Sequence, residues 1–186
     1  MAVNLSATLL ADICLPDEIE KVLLKHELAP QSLMLEVTES VAISDVCRAV
    51  DVLLRFRIKG IGISMDDFGT GYSSLAALAR LPFNELKIDK SLVIGCVNDP
   101  DLWRIVRGTV AMGHEFKMQV VAEGIEDLPT LQALARIGCD LGQGYHFSRP
   151  LPAAEFTSWY DRWLLTSQTG VNRFGAPAMN GELFPL

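Results

Sequence analysis

The chain has 186 residues, of which 49% are hydrophobic and 21% charged, and its formal net charge is −7. This length suffices for one domain with its own core, and no apolar run reaches the roughly 20 residues that a membrane-spanning helix needs. The acidic excess argues against a nucleic-acid polymer as partner, because proteins that bind one carry basic patches. The N-terminal residues lack the basic and apolar segments of a signal peptide, so we expect a cytoplasmic protein with no membrane partner.

Short apolar runs alternate along the chain with segments of helical periodicity. The runs are too short for helices and are bounded by turn residues, a pattern that is typical of buried strands. Six strands are predicted in this way, at residues 2–5, 33–37, 61–65, 85–88, 120–122 and 141–144.

The segments between the strands carry signals for the ends of helices. Pro16, followed by two acidic residues, predicts the start of one helix, because proline suits the first turn and carboxylates suit the helix N-terminus. Asp99 and Pro152 precede two further helical segments. Asp127 predicts the cap of another helix, which Gly138 ends. The chain therefore consists of strands and helices in alternation.

Strict alternation of strand and helix predicts a parallel sheet with its helices outside. Two closures fit this order: an open doubly wound sheet or a (β/α) barrel. No glycine-rich phosphate-binding motif follows a strand, which counts against the nucleotide-binding open sheets. A full barrel has eight units and about 250 residues, so the chain is two units short of one. The domain is expected over residues 1–166, and residues 167–186, which lack periodicity, are expected to form a flexible tail.

Every predicted strand has polar residues at or near its C-terminal end. In chain order they are Asn4, Glu36, Asp66 with Asp67, Lys87 with Asp89, Glu123 and Gln143. In a βα barrel these ends converge at one mouth, where active sites form. Several carboxylates at one mouth repel each other unless cations are bound, and oxygen ligands of this kind suit Mg²⁺ or Mn²⁺. Two such ions about 4 Å apart can grip the attacking and leaving oxygens of a phosphodiester.

Each of these residues also has a purely structural explanation. Asp66 and Asp67 precede a Gly- and Ser-rich stretch and fit a plain turn, and Glu123 alone fits a surface charge. Their recurrence at six successive strand ends favours a common site, in which Lys87 can orient the attacking water or neutralise phosphate charge.

The segments around these residues resemble the EAL domain of bacterial cyclic-di-GMP phosphodiesterases. The matching segments are residues 3–6 (VNLS), 35–40 (LEVTES), 66–75 (DDFGTGYSSL), 86–89 (LKID), 121–126 (VAEGIE) and 143–145 (QGY). They occur in the order of the family. The resemblance implies an incomplete TIM-like (β/α) barrel with about six βα units, which hydrolyses cyclic-di-GMP to linear pGpG.

The resemblance also implies a role for individual residues. One divalent cation, Mg²⁺ or Mn²⁺, is expected on Asn4, Glu36 and Asp66, and a second on Asp66, Asp67 and Glu123. Lys87 is expected to hold the catalytic water. Glu39 is expected to anchor the loop that contains Gly69 and Tyr72, and Gln143 is expected at the site.

The chain departs from the family pattern in one respect, since no Glu-Ala-Leu occurs in it. In the family this segment precedes the one that matches residues 3–6, and its glutamate is a metal ligand. We therefore expect an incomplete two-metal site and exposed barrel edges, which favour a homodimer or other self-association. Three functions remain open: a phosphodiesterase, a catalytically deficient module that binds cyclic-di-GMP, and an oligomerising remnant.

Overall fold

The structure is a computed structural model that describes residues 1–39, 41, 46–71 and 78–167. Its strands are β1 (Ala2–Asn4), β2 (Met34–Thr38), β3 (Gly62–Phe68), β4 (Glu85–Ile88), β5 (Gln119–Ala122) and β6 (Leu141–Gly142). The helices are α1 (Ala7–Leu10), α2 (Leu15–Lys25), α3 (Val46–Ile58), α4 (Lys90–Val93), α5 (Pro100–Glu115), α6 (Leu128–Arg136) and α7 (Ala153–Ser167), and a 3₁₀ turn spans Pro30–Ser32. All six predicted strands are present, with bounds that differ from the predicted ones by at most three residues.

The six strands form one parallel sheet in the sequential order β1-β2-β3-β4-β5-β6. A doubly wound sheet reverses its strand order at a switch point, whereas a barrel adds each strand beside the previous one. The sequential order therefore decides between the two closures. The sheet curls into a half-barrel with the helices alternating along it, which confirms the predicted incomplete TIM-like barrel.

The helices begin where the sequence signals predict. Asp99 caps α5 by accepting hydrogen bonds from the backbone N–H groups at the helix start, and Asp127 caps α6 by accepting one from Thr130 N. Pro16 lies in the first turn of α2, and α7 begins directly after Pro152. Each cap satisfies N–H groups that have no partner within the helix, which contributes about 1 kcal/mol.

The core lies between the sheet and the helices that cover it. Ile63, Leu86 and Val120 on the central strands have no exposed surface, and Phe56 of α3 and Val106 of α5 are equally buried against them. Burial of a side chain of this size contributes roughly 1.5–3 kcal/mol. The central strands are therefore held firmly, and side chains at their C-terminal ends start from fixed backbone positions.

The two ends of the sheet differ from its centre. All of β1 is exposed, with Val3 retaining 42% of its accessible surface, and Leu141 of β6 retains 37%. These strands have a neighbour on one side within the described part of the chain. None of the helices described here is long and apolar enough to cross a membrane. The predicted tail at 167–186 lies, apart from its first residue, outside the described residues.

Candidate functional site

A buried lysine joins three acidic residues at the C-terminal ends of the central strands. Lys87 lies on β4 and is 5% exposed. Its Nζ lies 2.8 Å from Glu36 Oε1, 2.9 Å from Asp66 Oδ1 and 2.6 Å from Glu123 Oε1. Glu36 is on β2, Asp66 is on β3 and Glu123 directly follows β5, so four adjacent strands contribute to one cluster. The structure thus brings together residues that the sequence places at separate strand ends.

The two adjacent aspartates lie inside β3, at an irregularity that the sequence does not predict. The pairing of β3 with β4 is regular up to Met65 and resumes at Phe68 after a shift in register. Asp67 lies in this bulge and has a φ of 56°, in the left-handed region that aspartate tolerates better than most residues. In a regular strand, successive side chains point to opposite faces. The bulge breaks this alternation, and Asp66 and Asp67 can serve the same side of the sheet.

The geometry of the bulge brings three carboxylates to one point. Asp66, Asp67 and Glu123 each offer an oxygen, and these oxygens all lie within 4.8 Å of one another. Opposite oxygens around one Mg²⁺ are about 4 Å apart, so little movement is needed for them to share an ion. Among the described residues, Asp66 Oδ1 is buried without a well-directed hydrogen bond, its contact with Lys87 being an ion pair. The carboxylates therefore fit a hard divalent cation.

The ionisation of the cluster reflects burial and crowding. Burial raises the pKa of Asp67, and the neighbouring carboxylates of Asp66 and Asp89 raise it further. Burial also raises the pKa of Glu123, more than the hydrogen bond from Lys87 lowers it. For Lys87 itself burial lowers the pKa, but its close contacts with three carboxylates outweigh burial and raise the pKa above its ordinary value. The cluster thus holds one ammonium among more acidic groups than it can neutralise.

Glu39 lies against the start of the loop that follows β3. Its side chain is almost fully buried, and its Oε2 accepts a hydrogen bond from Gly69 N at 3.1 Å. A Cβ at Gly71 would lie 3.2 Å from Glu39 Oε1, so the carboxylate also packs against that glycine. The structure thus places Glu39 and Gly69 in contact. Tyr72 lies outside the described residues.

Gln143 is placed beside Glu123 by its backbone. Its N–H donates to Ala122 O at 2.9 Å, and its carbonyl accepts from Ile125 N at 3.1 Å. A Cβ at Gly144 would lie 2.1 Å from Ile125 O, so only glycine permits this close approach. Gln143 also lines a cavity of about 430 Å³, together with Gly142, Gly144, Phe147, Ser148, Trp159 and Trp163.

Asn4 lies at the edge of the site rather than within the ion-pair cluster. It is the last residue of β1, is exposed, and pairs in register with Glu36 of β2. Asp89, which the sequence places at the end of β4, caps α4 by accepting a hydrogen bond from Ser91 N at 2.8 Å. The hydrogen bonds to its carboxylate lower the pKa of Asp89 despite its burial.

Two contacts near the carboxylates escape sequence reasoning because they join residues far apart in the chain. Leu92 lies against Gly69, and Lys90 lies against Gly124, the residue after Glu123. The glycines that follow Asp67-Phe68 and Glu123 are the available sequence signal, since a glycine after a strand end marks a backbone that another segment can approach closely.

Comparison with known proteins agrees with this architecture. The family model of the EAL domain matches residues 1–150. The bifunctional diguanylate cyclase/cyclic di-GMP phosphodiesterase MucR of Pseudomonas aeruginosa is 44% identical over 155 residues, which is 83% of this chain and 23% of MucR. The cyclic di-GMP phosphodiesterase RocR of the same organism is 35% identical over 159 residues, 86% of this chain and 41% of RocR. The chain thus spans less than half the length of these relatives.

Solved structures agree with the sequence relatives. The c-di-GMP complex of the PaMucR phosphodiesterase superposes with a TM-score of 0.78 at 44% identity, covering 83% of this chain and 63% of that one. The manganese/cy-diGMP complex of Klebsiella pneumoniae BlrP1 has a TM-score of 0.75 at 33% identity, covering 80% of this chain and 38% of that one. With its sequential half-barrel, its carboxylates at the strand ends and these matches, the chain belongs to the EAL domain family.

Proposed function

We propose that the chain carries the central part of a divalent-cation site that hydrolyses cyclic-di-GMP to linear pGpG. The observation that carries this proposal is the convergence of Asp66, Asp67 and Glu123 on one point beside Lys87. Relatives whose names state cyclic-di-GMP phosphodiesterase activity, and related structures in complex with c-di-GMP, support the choice of substrate. The complex of BlrP1 with manganese supports the choice of cation.

The first proposed ligand set follows the positions of the oxygens, and the second follows the resemblance to the family together with the register of β1 and β2. Asp66, Asp67 and Glu123 would hold one Mg²⁺ or Mn²⁺, and Glu36, Asp66 and Asn4 would hold another at the side of β1 and β2. When bound, such cations lower the pKa of a coordinated water and stabilise charge on a phosphodiester. The Lys87 ammonium lies among the same carboxylates, where it can orient the attacking water and offset negative charge as the phosphate approaches.

One observation favours the alternative of a binding module without turnover. Lys87 already gives each of Glu36, Asp66 and Glu123 a cationic partner within 2.9 Å. The cluster therefore has a counter-charge without a metal ion, and a chain that binds cyclic-di-GMP without hydrolysing it is compatible with this arrangement.

We propose in addition that the chain self-associates through the ends of its half-barrel. The exposed residues of β1 and the exposed Leu141 of β6 support this, because each strand has a neighbour on one side among the described residues and an unpaired parallel edge is a template for pairing with another chain. Light scattering at micromolar concentration tests it: a homodimer or larger species is expected, and a monodisperse monomer would refute the proposal.

A hydrolysis assay tests the enzymatic function. The chain is incubated with cyclic-di-GMP and Mg²⁺ or Mn²⁺, and the products are separated by chromatography. Linear product that requires the metal and disappears in Asp66→Ala is the expected result. Asp101→Ala is the matched control, because Asp101 is an exposed aspartate on α5 that pairs with Arg104. If no linear product forms, calorimetry with cyclic-di-GMP separates the binding module, which releases heat on binding, from the remnant, which does not.

A further inference from the structure

The backbone at Asp67 needs support from its surroundings. A non-glycine residue with a φ of 56° occupies a sparsely populated conformation, which persists when neighbouring contacts hold it in place. Thr70 N and Thr70 Oγ1 both donate to Asp67 O, at 3.3 and 2.9 Å. These hydrogen bonds close the turn after the bulge, but they are local and exposed. A side-chain contact from another element holds the turn against the rest of the domain.

Leu92 makes that contact. Gly69, at the centre of the turn, has a φ of 100°, and a Cβ added there would lie 2.4 Å from Leu92 Cδ1. The leucine side chain thus occupies the space in which any other residue at position 69 would carry its Cβ. On another side of the same glycine, Gly69 N donates to the buried Glu39 carboxylate. The turn is therefore held between Leu92 and Glu39.

The helix that carries Leu92 also contacts the segment of the third carboxylate. Leu92 belongs to the four-residue helix α4, whose first residue is Lys90. Gly124, with a φ of 69°, lies so close to Lys90 that a Cβ at position 124 would be 2.5 Å from Lys90 Cβ. Gly124 is the residue after Glu123. The helix α4 therefore lies between the turn that follows Asp67 and the turn that follows Glu123, and it contacts a glycine in each.

We propose that Leu92 is a positioning residue of the divalent-cation site: by filling the space beside Gly69 it holds the β3 bulge and fixes Asp66 and Asp67 relative to Glu123. The expected effect on metal binding rests on the proposed function, because the spacing of these carboxylates matters when they share a cation. The contact itself stands on the packing geometry alone. Leu92 touches no ligand atom in this role, and it acts through the backbone of Gly69.

Metal affinity tests the consequence. Mn²⁺ binding to the full chain is measured by calorimetry for the wild type, Leu92→Ala, Leu92→Met and the control Leu102→Ala. Leu102 is matched to Leu92 because both are partly buried leucines that pack against the core, and Leu102 lies on α5. Leu92→Ala is expected to weaken Mn²⁺ binding by about tenfold or more, as loss of support for metal ligands typically does. Leu102→Ala and Leu92→Met are expected to stay within about twofold of the wild type by the same reasoning. Equal weakening in both alanine variants would overturn the inference.

Hydrogen exchange tests the contact without any metal. The amide of Gly69 donates to Glu39, so its exchange rate reports how often the turn opens. Faster exchange at Gly69 in Leu92→Ala, with no change in Leu102→Ala, is the expected result. Unchanged exchange at Gly69 in Leu92→Ala would overturn the positioning role. If the wild type binds no Mn²⁺, the proposed cation site is wrong, and the exchange measurement alone decides whether Leu92 holds the bulge.

Discussion

Replacement of Lys87 by methionine is expected to destabilise the metal-free chain more than replacement of a lysine on the surface does. Methionine keeps the length and most of the apolar stem of lysine but removes the ammonium. Lys87 is 5% exposed, and its Nζ lies 2.6 to 2.9 Å from oxygens of three carboxylates. These partners are themselves only 13 to 16% exposed, so water replaces the lost cation poorly.

The magnitude follows from the cost of leaving buried charges without a partner. Removal of one member of a buried ion pair costs about 3–5 kcal/mol, whereas a domain of this kind is stable by about 5–15 kcal/mol in total. We therefore expect Lys87→Met to lose about 3–5 kcal/mol of unfolding free energy at neutral pH, a large part of the total. Urea unfolding followed by circular dichroism measures the loss, and addition of Mn²⁺ should restore part of it.

The control for this experiment is Lys59→Met. Lys59 contacts Asp17 at 2.9 Å and Glu20 at 2.5 Å, but those carboxylates retain 46% and 40% of their side-chain exposure. Solvent screens such a pair, so its loss should cost far less than the loss of Lys87. The loss of unfolding free energy in Lys87→Met should also become smaller as the pH falls, because protonated carboxyl groups need no counter-charge. Equal losses in the two variants, or a loss for Lys87→Met that is independent of pH, would refute the reasoning.

Three further predictions concern packing, capping and pH. Gly144→Ala should destabilise the chain by about 1–3 kcal/mol in urea because its Cβ would meet a backbone oxygen at 2.1 Å, whereas Gly108→Ala, in open space on α5, should stabilise it by up to about 1 kcal/mol. Asp99→Ala should cost about 1 kcal/mol in thermal unfolding, since two N–H groups of α5 lose their cap, and a smaller loss is expected for Asp99→Asn. Mn²⁺ affinity should fall as the pH decreases, and the fall should begin at a higher pH than it would for carboxylates with ordinary pKa values. The reason is that burial raises the pKa of Asp67 and Glu123, and protons compete with the cation for these groups. Calorimetry at stepped pH measures this, and an affinity that does not change with pH would contradict it.

The fold was predictable because its signals are local. Each strand is a short apolar run between turn residues, and caps such as Asp99 and Asp127 mark helix starts within a few residues. The alternation of these elements implies a parallel sheet without knowledge of any contact. The closure was not decidable in this way, because the order of strands in a sheet is a non-local property. Resemblance to a family supplied the expectation of a barrel, and the sequential strand order confirms it.

The convergence of four of the candidate residues was predictable for a similar reason, whereas the internal geometry of their cluster was not. Polar residues at successive strand ends imply a common mouth, and Glu36, Asp66, Lys87 and Glu123 do meet there. The strand that carries Asp66 was expected to end at residue 65, but it continues through a bulge to Phe68. No local pattern indicates a bulge whose support comes from a helix more than twenty residues further along the chain.

The same lysine that stabilises the metal-free cluster must affect its affinity for a cation. One ammonium among Glu36, Asp66, Asp67 and Glu123 leaves negative charge in excess. Burial raises the pKa of Asp67, and the neighbouring carboxylates of Asp66 and Asp89 raise it further. A divalent cation at this point gains from the excess charge, but it shares the carboxylate oxygens with the ammonium and is repelled by it. The ion pairs between Lys87 and the carboxylates, which stabilise the chain without metal, are therefore partly lost when metal binds. A chain that keeps Lys87 is therefore expected to bind a divalent cation more weakly than the excess of carboxylates alone would allow.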